Sequence, residues 1–197
     1  MSQNTNFEGG KVRPIYVNGQ DVLRRECSPI DSSYPELPKL LRDMFATMEA
    51  ADGVGLAAPQ IGLAISLFAI DLTGYETDQE DDMQNLNPEL GQKVFINPVI
   101  TEVSEEECPF KEGCLSVPGI NENVCRPESI TIEYMDENFE KRTDTFDGMW
   151  ARVIQHEYSH LQGKLFVDEI APIRKQLIKK KLDAMTRGKY KAHYRTK

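Results

Sequence analysis

Gln155-His156-Glu157-Tyr158-Ser159-His160-Leu161 sets two histidines four residues apart, with a carboxylate directly after the first. On a helix, residues i and i+4 lie one turn apart on the same face, so both imidazoles can reach one metal ion. Glu157 stands about 100° further round, beside the metal rather than on it. That is where a general base for an activated water is needed. The flanks read as helix. Asp147 is placed to cap its start, and Gly148 follows. Trp150, Val153, Ile154 and Leu161 recur at helical spacing toward a core, and Gly163 offers a stop.

Two imidazoles do not complete a site. A catalytic metal usually takes three protein ligands and leaves one position for water. An extended protease form of the motif continues as His-x-x-Gly-x-x-His. Gly163 fits it, but Phe166 stands at the last histidine and cannot ligate. From the residues alone the third ligand stays open between Asp168 or Glu169 and the cysteines Cys27, Cys108, Cys114 and Cys125. A zinc endopeptidase using a downstream carboxylate is the alternative enzyme. A structural site closed by four protein ligands is the alternative from a different class.

A chain of 197 residues is expected to form one catalytic domain over 1–197, large enough for a proper core. Its 40% hydrophobic and 28% charged content is that of an ordinary soluble globular protein. No apolar run approaches a membrane span, and residues 1–11 lack the apolar core of a signal peptide. A cytoplasmic location of bacterial type is expected, where cysteines stay reduced and free to ligate. The net charge of −9 argues against coating DNA. The distribution is uneven, however. Residues 171–197 carry ten Lys and Arg against one acid, on an otherwise acidic body. Such a tail is either a solvated surface or a docking element for an anionic partner such as RNA.

Along the chain, residues 1–13 read as a flexible leader. Residues 35–51 read as an amphipathic helix with Leu37, Leu40, Leu41, Met44, Phe45 and Met48 on one stripe. Residues 65–71 and 94–100 read as strands, the second interrupted at Asn97-Pro98. Residues 76–89 lie in an acid-rich, exposed loop. Residues 129–136 alternate, turn at Asp136-Glu137-Asn138, and return as a strand through Phe139–Phe146. Residues 172–185 close as a second amphipathic helix through Ile173, Leu177, Ile178, Leu182 and Met185, the start of a basic C-terminal helix and tail over 172–197. His193, in that tail, reads as ordinary surface. Strands grouped between helices give an α+β class: antiparallel sheets around a central metal-binding helix, with a C-terminal amphipathic helix.

Two further segments precede the histidine motif: Gly53-Val54-Gly55-Leu56-Ala57-Ala58-Pro59-Gln60 and Glu112-Gly113-Cys114-Leu115-Ser116. Taken in order, the three resemble peptide deformylase. Asn97-Pro98, the stretch around Arg126 and Gly163-Lys164-Leu165-Phe166 extend the likeness over roughly residues 15–185. The resemblance implies a hydrolase that removes the formyl group from the N-terminal formyl-methionine of new polypeptides. It singles out Cys114 as the third ligand beside His156 and His160. It makes Glu157 the acid–base, and Gln60 and the Leu115 N–H the partners of the developing oxyanion. It implies Fe²⁺ as the natural metal, with Zn²⁺, Ni²⁺ or Co²⁺ able to substitute. Val54, Gly55 and Gly113 would meet an extended peptide, Val153 would border its methionine pocket, and Glu112 with Arg126 would pair at the entrance. Docking of the basic tail on the ribosome would fit that role. One departure stands out: the family usually has Asp where this chain has Ser159, which bears on the hydrogen bonding around the ligands.

Overall fold

The computed structural model describes residues 7–73 and 91–197. The acid-rich loop expected at 76–89 lies outside the described residues. The first helix, α1, runs Leu37–Ala50, and every member of its predicted stripe is buried. Pro38 suits its first turn, where a missing N–H costs nothing. Strands β1 (Gly55–Ala57), β2 (Leu67–Asp71) and β3 (Gln92–Val103) follow. A hairpin of β4 (Glu107–Gly113) and β5 (Asn121–Pro127) comes next, and then β6 (Ser129–Met135) and β7 (Lys141–Asp147). Helix α2 spans Gly148–Leu161 and α3 spans Pro172–Met185.

Five strands form one antiparallel sheet in the order β1-β2-β3-β6-β7, and β4-β5 form a separate ribbon. Helix α2 lies between the two, touching β1, β2, β6 and β7 on one side and β5 on the other. Trp150, Val153, Ile154 and Leu161 pack with Phe68, Phe95, Ile130 and Ile132 in the core beneath the large sheet. This is the expected mixed architecture, with the metal-motif helix at its centre.

The alternating stretch 129–136 forms β6, and the return strand expected over 139–146 is β7 at Lys141–Asp147, paired with it from Ser129–Asp147 to Met135–Lys141. The interruption at Asn97-Pro98 is a bulge inside β3, not its end. The register slips between Ile96 and Val99, and Asn97 takes a left-handed φ of 49°. Its side chain accepts from the Ile30 N–H at 3.0 Å and donates to the Ile30 carbonyl at 2.7 Å. Those two bonds supply local partners where Pro98 has no N–H to offer.

Three details depart from expectation. Asp147 holds the N-cap position of α2 but makes no side-chain cap. It is still paired with Ser129 as the last residue of β7, and the turn into the helix is made at Gly148. The apolar stripe of α3 is only half used: Ile178 and Met185 are buried, but Ile173 and Leu177 are 63% and 64% exposed. Strands β1, β4 and β5 carry no alternating signature that announces them. Gly163 does end the helix region, at φ +71°, where an added Cβ would sit 2.8 Å from the Arg24 backbone.

Of the N-terminal leader, residues 7–13 lie along α1. Phe7 stacks on Phe45 with ring centroids 4.5 Å apart, the Lys11 N–H donates to Asp43 at 2.8 Å, and the Arg13 guanidinium pairs with Asp43 at 2.8 Å. Burial opposes ionisation of Asp43, but the Lys11 N–H and Arg13 outweigh it and hold its carboxyl below the usual range. A depressed carboxyl contributes stability above its unfolded value and loses it as pH falls through the folded one. Asp43→Asn is therefore expected to cost about 1 kcal/mol at pH 7. In urea melts against the parent, the difference should shrink toward zero as pH drops below about 4.

Candidate active site

The three motifs arrive from three places: the turn after β1, the end of β4 and the middle of α2. They converge on one cleft of about 740 Å³. Of the residues singled out in the sequence, Val54, Gly55, Gln60, Glu112, Gly113, Cys114, Leu115, Val153, His156 and Glu157 line it. His160 and Arg126 do not; both are buried behind it, at 1% and 6% exposure.

Cys114 sits just past β4, and its Sγ is 3.2 Å from His160 Nε2. One ligand atom each from Cys114, His156 and His160 lies within 4.8 Å of the others, and among the described residues this is the one such group. Helical spacing sets the two imidazoles edge to face, with ring centroids 5.3 Å apart and planes at 71°. Asp168 and Glu169, left open as ligands by spacing, are used elsewhere. Asp168 pairs with Arg24 and Lys175, and Glu169 pairs with Arg126 at 2.8 Å.

The donor set fits a divalent cation. One thiolate and two imidazoles are what a tetrahedral catalytic site with one open position uses. Two buried polar atoms at the site have no protein partner, Glu157 Oε2 and His160 Nδ1. Burial pushes the Glu157 carboxyl up to about 7, with the charge of His156 acting against it. Burial also lowers the basicity of His160, and the charge of His156 adds to that. His156 itself is opposed by burial but raised to about 10 by Cys114 and Glu112.

Glu112 is the anchor of this arrangement. Its Oε2 accepts from His156 Nδ1 at 2.9 Å, which leaves Nε2 for the cation. Its Oε1 accepts from Arg126 Nε at 2.7 Å and Arg152 Nη1 at 2.9 Å, and Arg126 Nη2 reaches Oε2 at 3.0 Å. Burial opposes its charge, but His156 and Arg126 hold its carboxyl down at about 2. The Glu112–Arg126 pair expected at the entrance therefore exists, but it lies under His156. Arg126 has its guanidinium fully engaged there and offers nothing to the cleft.

Gln60 is 1% exposed, and its amide is oriented by its neighbours. Oε1 accepts from the Ala57 N–H at 2.7 Å, so Nε2 faces Cys114 Sγ at 3.6 Å and Ser116 Oγ at 3.4 Å. Gly55 has no room for a side chain: an added Cβ would lie 2.5 Å from Glu157 Oε1 and 2.9 Å from Val153 Cγ1. Only glycine lets β1 approach the helix this closely. Strand β1 is also the edge of its sheet, bonded to β2 alone.

Two contributors, Arg152 and Tyr194, escaped the reading of the sequence, and Glu169 entered it only as a possible metal ligand. Arg152 is 6% exposed, one turn before His156. A cation in a helix stretch otherwise turned to the core should have signalled a buried carboxylate partner. Glu169 gave no signal beyond its charge. Tyr194, in the tail, donates to the Leu115 carbonyl at 2.7 Å, and the neighbouring His193 pairs with Asp52 at 3.2 Å on the cleft rim. No periodicity could have placed either beside residue 115.

Comparison with known proteins agrees with this geometry. The family model of polypeptide deformylase matches residues 12–176. The peptide deformylase of Christiangramia forsetii is 46% identical over 93% of this chain and 94% of its own. That of Flavobacterium johnsoniae is 44% identical over 94% and 95%. A crystal structure of a peptide deformylase from Legionella pneumophila superposes with a TM-score of 0.75 at 38% identity, covering 89% of this chain and 96% of that one. One from Arabidopsis thaliana gives 0.77 at 32% identity, over 92% and 97%. Among the described residues no helix is long and apolar enough to cross a membrane. The chain belongs to the polypeptide deformylase family, metal-dependent hydrolases that remove the formyl group from the N-terminal formyl-methionine of new polypeptides.

Proposed function

We propose that Cys114, His156 and His160 hold the metal of a deformylation site in which Glu157 moves the protons, within a single catalytic domain formed by the whole chain. The convergence of one sulfur and two imidazoles beside a partnerless Glu157 oxygen carries this reading. A divalent metal there supplies Lewis acidity, which makes a water nucleophilic near neutral pH. Glu157 takes a proton as that water's oxygen bonds to the formyl carbon, and returns one to the amine as the carbon–nitrogen bond breaks. A carboxyl pushed up to about 7 can do both. The Gln60 amide and the Leu115 N–H face the oxygen on which charge develops; donors so aimed contribute about 2.7–4 kcal/mol each.

The free edge of β1 at Gly55, with Val54 just before it, offers backbone groups to an extended peptide, with Gly113 on the same cleft. Main-chain recognition suits an enzyme whose substrates share an end but not a sequence. Val153 borders the methionine side chain. Glu112 acts through His156 and Arg126 through Glu112, so both position ligands; neither binds substrate directly.

Activity is tested by formate release from a formyl-methionyl peptide, with metal content measured on the same sample. Glu157→Gln is expected to keep the metal and lose about 10²–10⁴ in kcat. Loss of the metal with the activity would reassign Glu157 as a structural residue.

Fe²⁺ is proposed as the native ion, with Zn²⁺, Ni²⁺ or Co²⁺ able to occupy the same ligands. A thiolate ligand next to a redox-active ion is open to oxidation. The iron form is expected to lose activity in air faster than the nickel form, and a reductant should protect it. Equal lifetimes would count against iron.

The basic segment 172–197 is proposed to dock on ribosomal RNA. Its excess of Lys and Arg, with Lys179, Lys180 and Lys181 all exposed on α3, supports this. Co-sedimentation with ribosomes should occur at low salt, weaken steeply as salt rises, and vanish in the Lys179→Glu, Lys180→Glu, Lys181→Glu variant. Binding that ignores both salt and the charge reversal would overturn it.

A further inference from the structure

Behind His156 the structure holds an unequal set of charges. Two buried guanidiniums, Arg126 and Arg152, converge on the single carboxylate of Glu112. Arg152 spends its remaining donors on neutral groups: the Val124 carbonyl at 3.0 Å, the Cys108 carbonyl at 2.7 Å and the Cys108 sulfur at 3.2 Å. Left so, the cluster would carry one excess positive charge directly behind a residue meant to hold a cation. Both consequences would weaken the site. The excess charge would repel the metal, and it would draw Glu112 away from His156 Nδ1.

A second carboxylate is present, and it comes from outside the three motifs. Glu169 follows the short 3-10 turn Phe166–Asp168, and its Oε2 reaches Arg126 Nη2 at 2.8 Å. Its neighbour Asp168 turns the other way, to Arg24 and Lys175, so the two adjacent acids serve different partners. Ser159 makes the approach possible. Its hydroxyl donates to the Gln155 carbonyl at 2.9 Å, is met by Arg126 Nη1 at 3.3 Å and lies 3.2 Å from Glu169 Oε1. It is a short side chain at the point where a longer acid would itself touch Arg126. A hydroxyl on the helix and a carboxylate from the following turn thus share one position around the guanidinium.

We propose that Glu169 is a positioning residue of the metal centre. It neutralises Arg126, which leaves Glu112 free to orient His156, and Ser159 is the gap through which it does so. The proposal rests on Cys114, His156 and His160 being the ligands. It makes the carboxylate at Arg126 transferable: moved from residue 169 to residue 159, the charge should serve as well.

The test compares the parent, Glu169→Gln and the double variant Ser159→Asp/Glu169→Gln. Metal-free protein is titrated with Co²⁺, and the thiolate-to-cobalt absorption band is followed. The band in the parent tests the ligand set by itself; the differences between variants test Glu169. Glu169→Gln is expected to bind Co²⁺ about ten-fold more weakly. The double variant should return to within about three-fold of the parent. In the Co²⁺ enzymes, kcat should follow the same order while KM for a formyl-methionyl peptide stays level, because Glu169 does not line the cleft. Parent-like binding by Glu169→Gln overturns the proposal. So does a double variant no better than Glu169→Gln, since a merely structural loss would not be repaired from residue 159. If Glu169→Gln does not fold, a folded, Co²⁺-binding double variant supports the proposal and an unfolded one overturns it.

Discussion

The site depends on one buried carboxylate. Glu112 stands at the end of the β4–β5 ribbon and receives N–H donors from Arg126 on β5 and from Arg152 and His156 on α2. It therefore ties the ribbon to the helix. Cys114 is two residues further along the same strand end, so the same tie sets the sulfur against His160. A buried charge this well supplied with donors is held firmly, whereas one stripped of a partner becomes a liability of several kcal/mol. The residues that could hold a metal thus come from two elements that cannot drift apart while that carboxylate is satisfied.

The large sheet has a different task. Its hydrophobic face gives α2 a rigid floor, so residues 153, 156, 157 and 160 face the cleft or its back wall, and Trp150 and Ile154 face the core. Main-chain geometry at β1 then brings a strand edge to within a glycine's breadth of Glu157. The reacting groups and the backbone that would read a peptide are thereby placed side by side without any long loop between them.

Much of this was legible in the residues. The i, i+4 histidines report a helix face because helical geometry is local, and the apolar stripe of residues 37–48 reports α1 for the same reason. What stayed hidden was non-local. Strands β4 and β5 carry charged and polar residues on both faces, so alternation could not reveal them. The stripe of α3 pointed to a core that Ile178 and Met185 enter and Leu182 borders, while Ile173 and Leu177 stay exposed, because neighbours decide burial and spacing cannot. Glu169, Arg152 and Tyr194 matter through partners far away in the chain, and no window of sequence contains both members of such a pair. The order of the three motifs, and not spacing, is what pointed to Cys114 rather than to two downstream acids.

The open flank of β1 has a further consequence. An unpaired strand is an invitation to self-association, and proteins usually blunt it with charge or cover. Here the edge strand is three residues long and buried beside a helix, its Ala57 N–H is already taken by Gln60, and Gly113 lines the same cleft. An edge so short and so enclosed leaves little for another sheet to pair with, so the burial that places β1 beside α2 also blunts it against self-association.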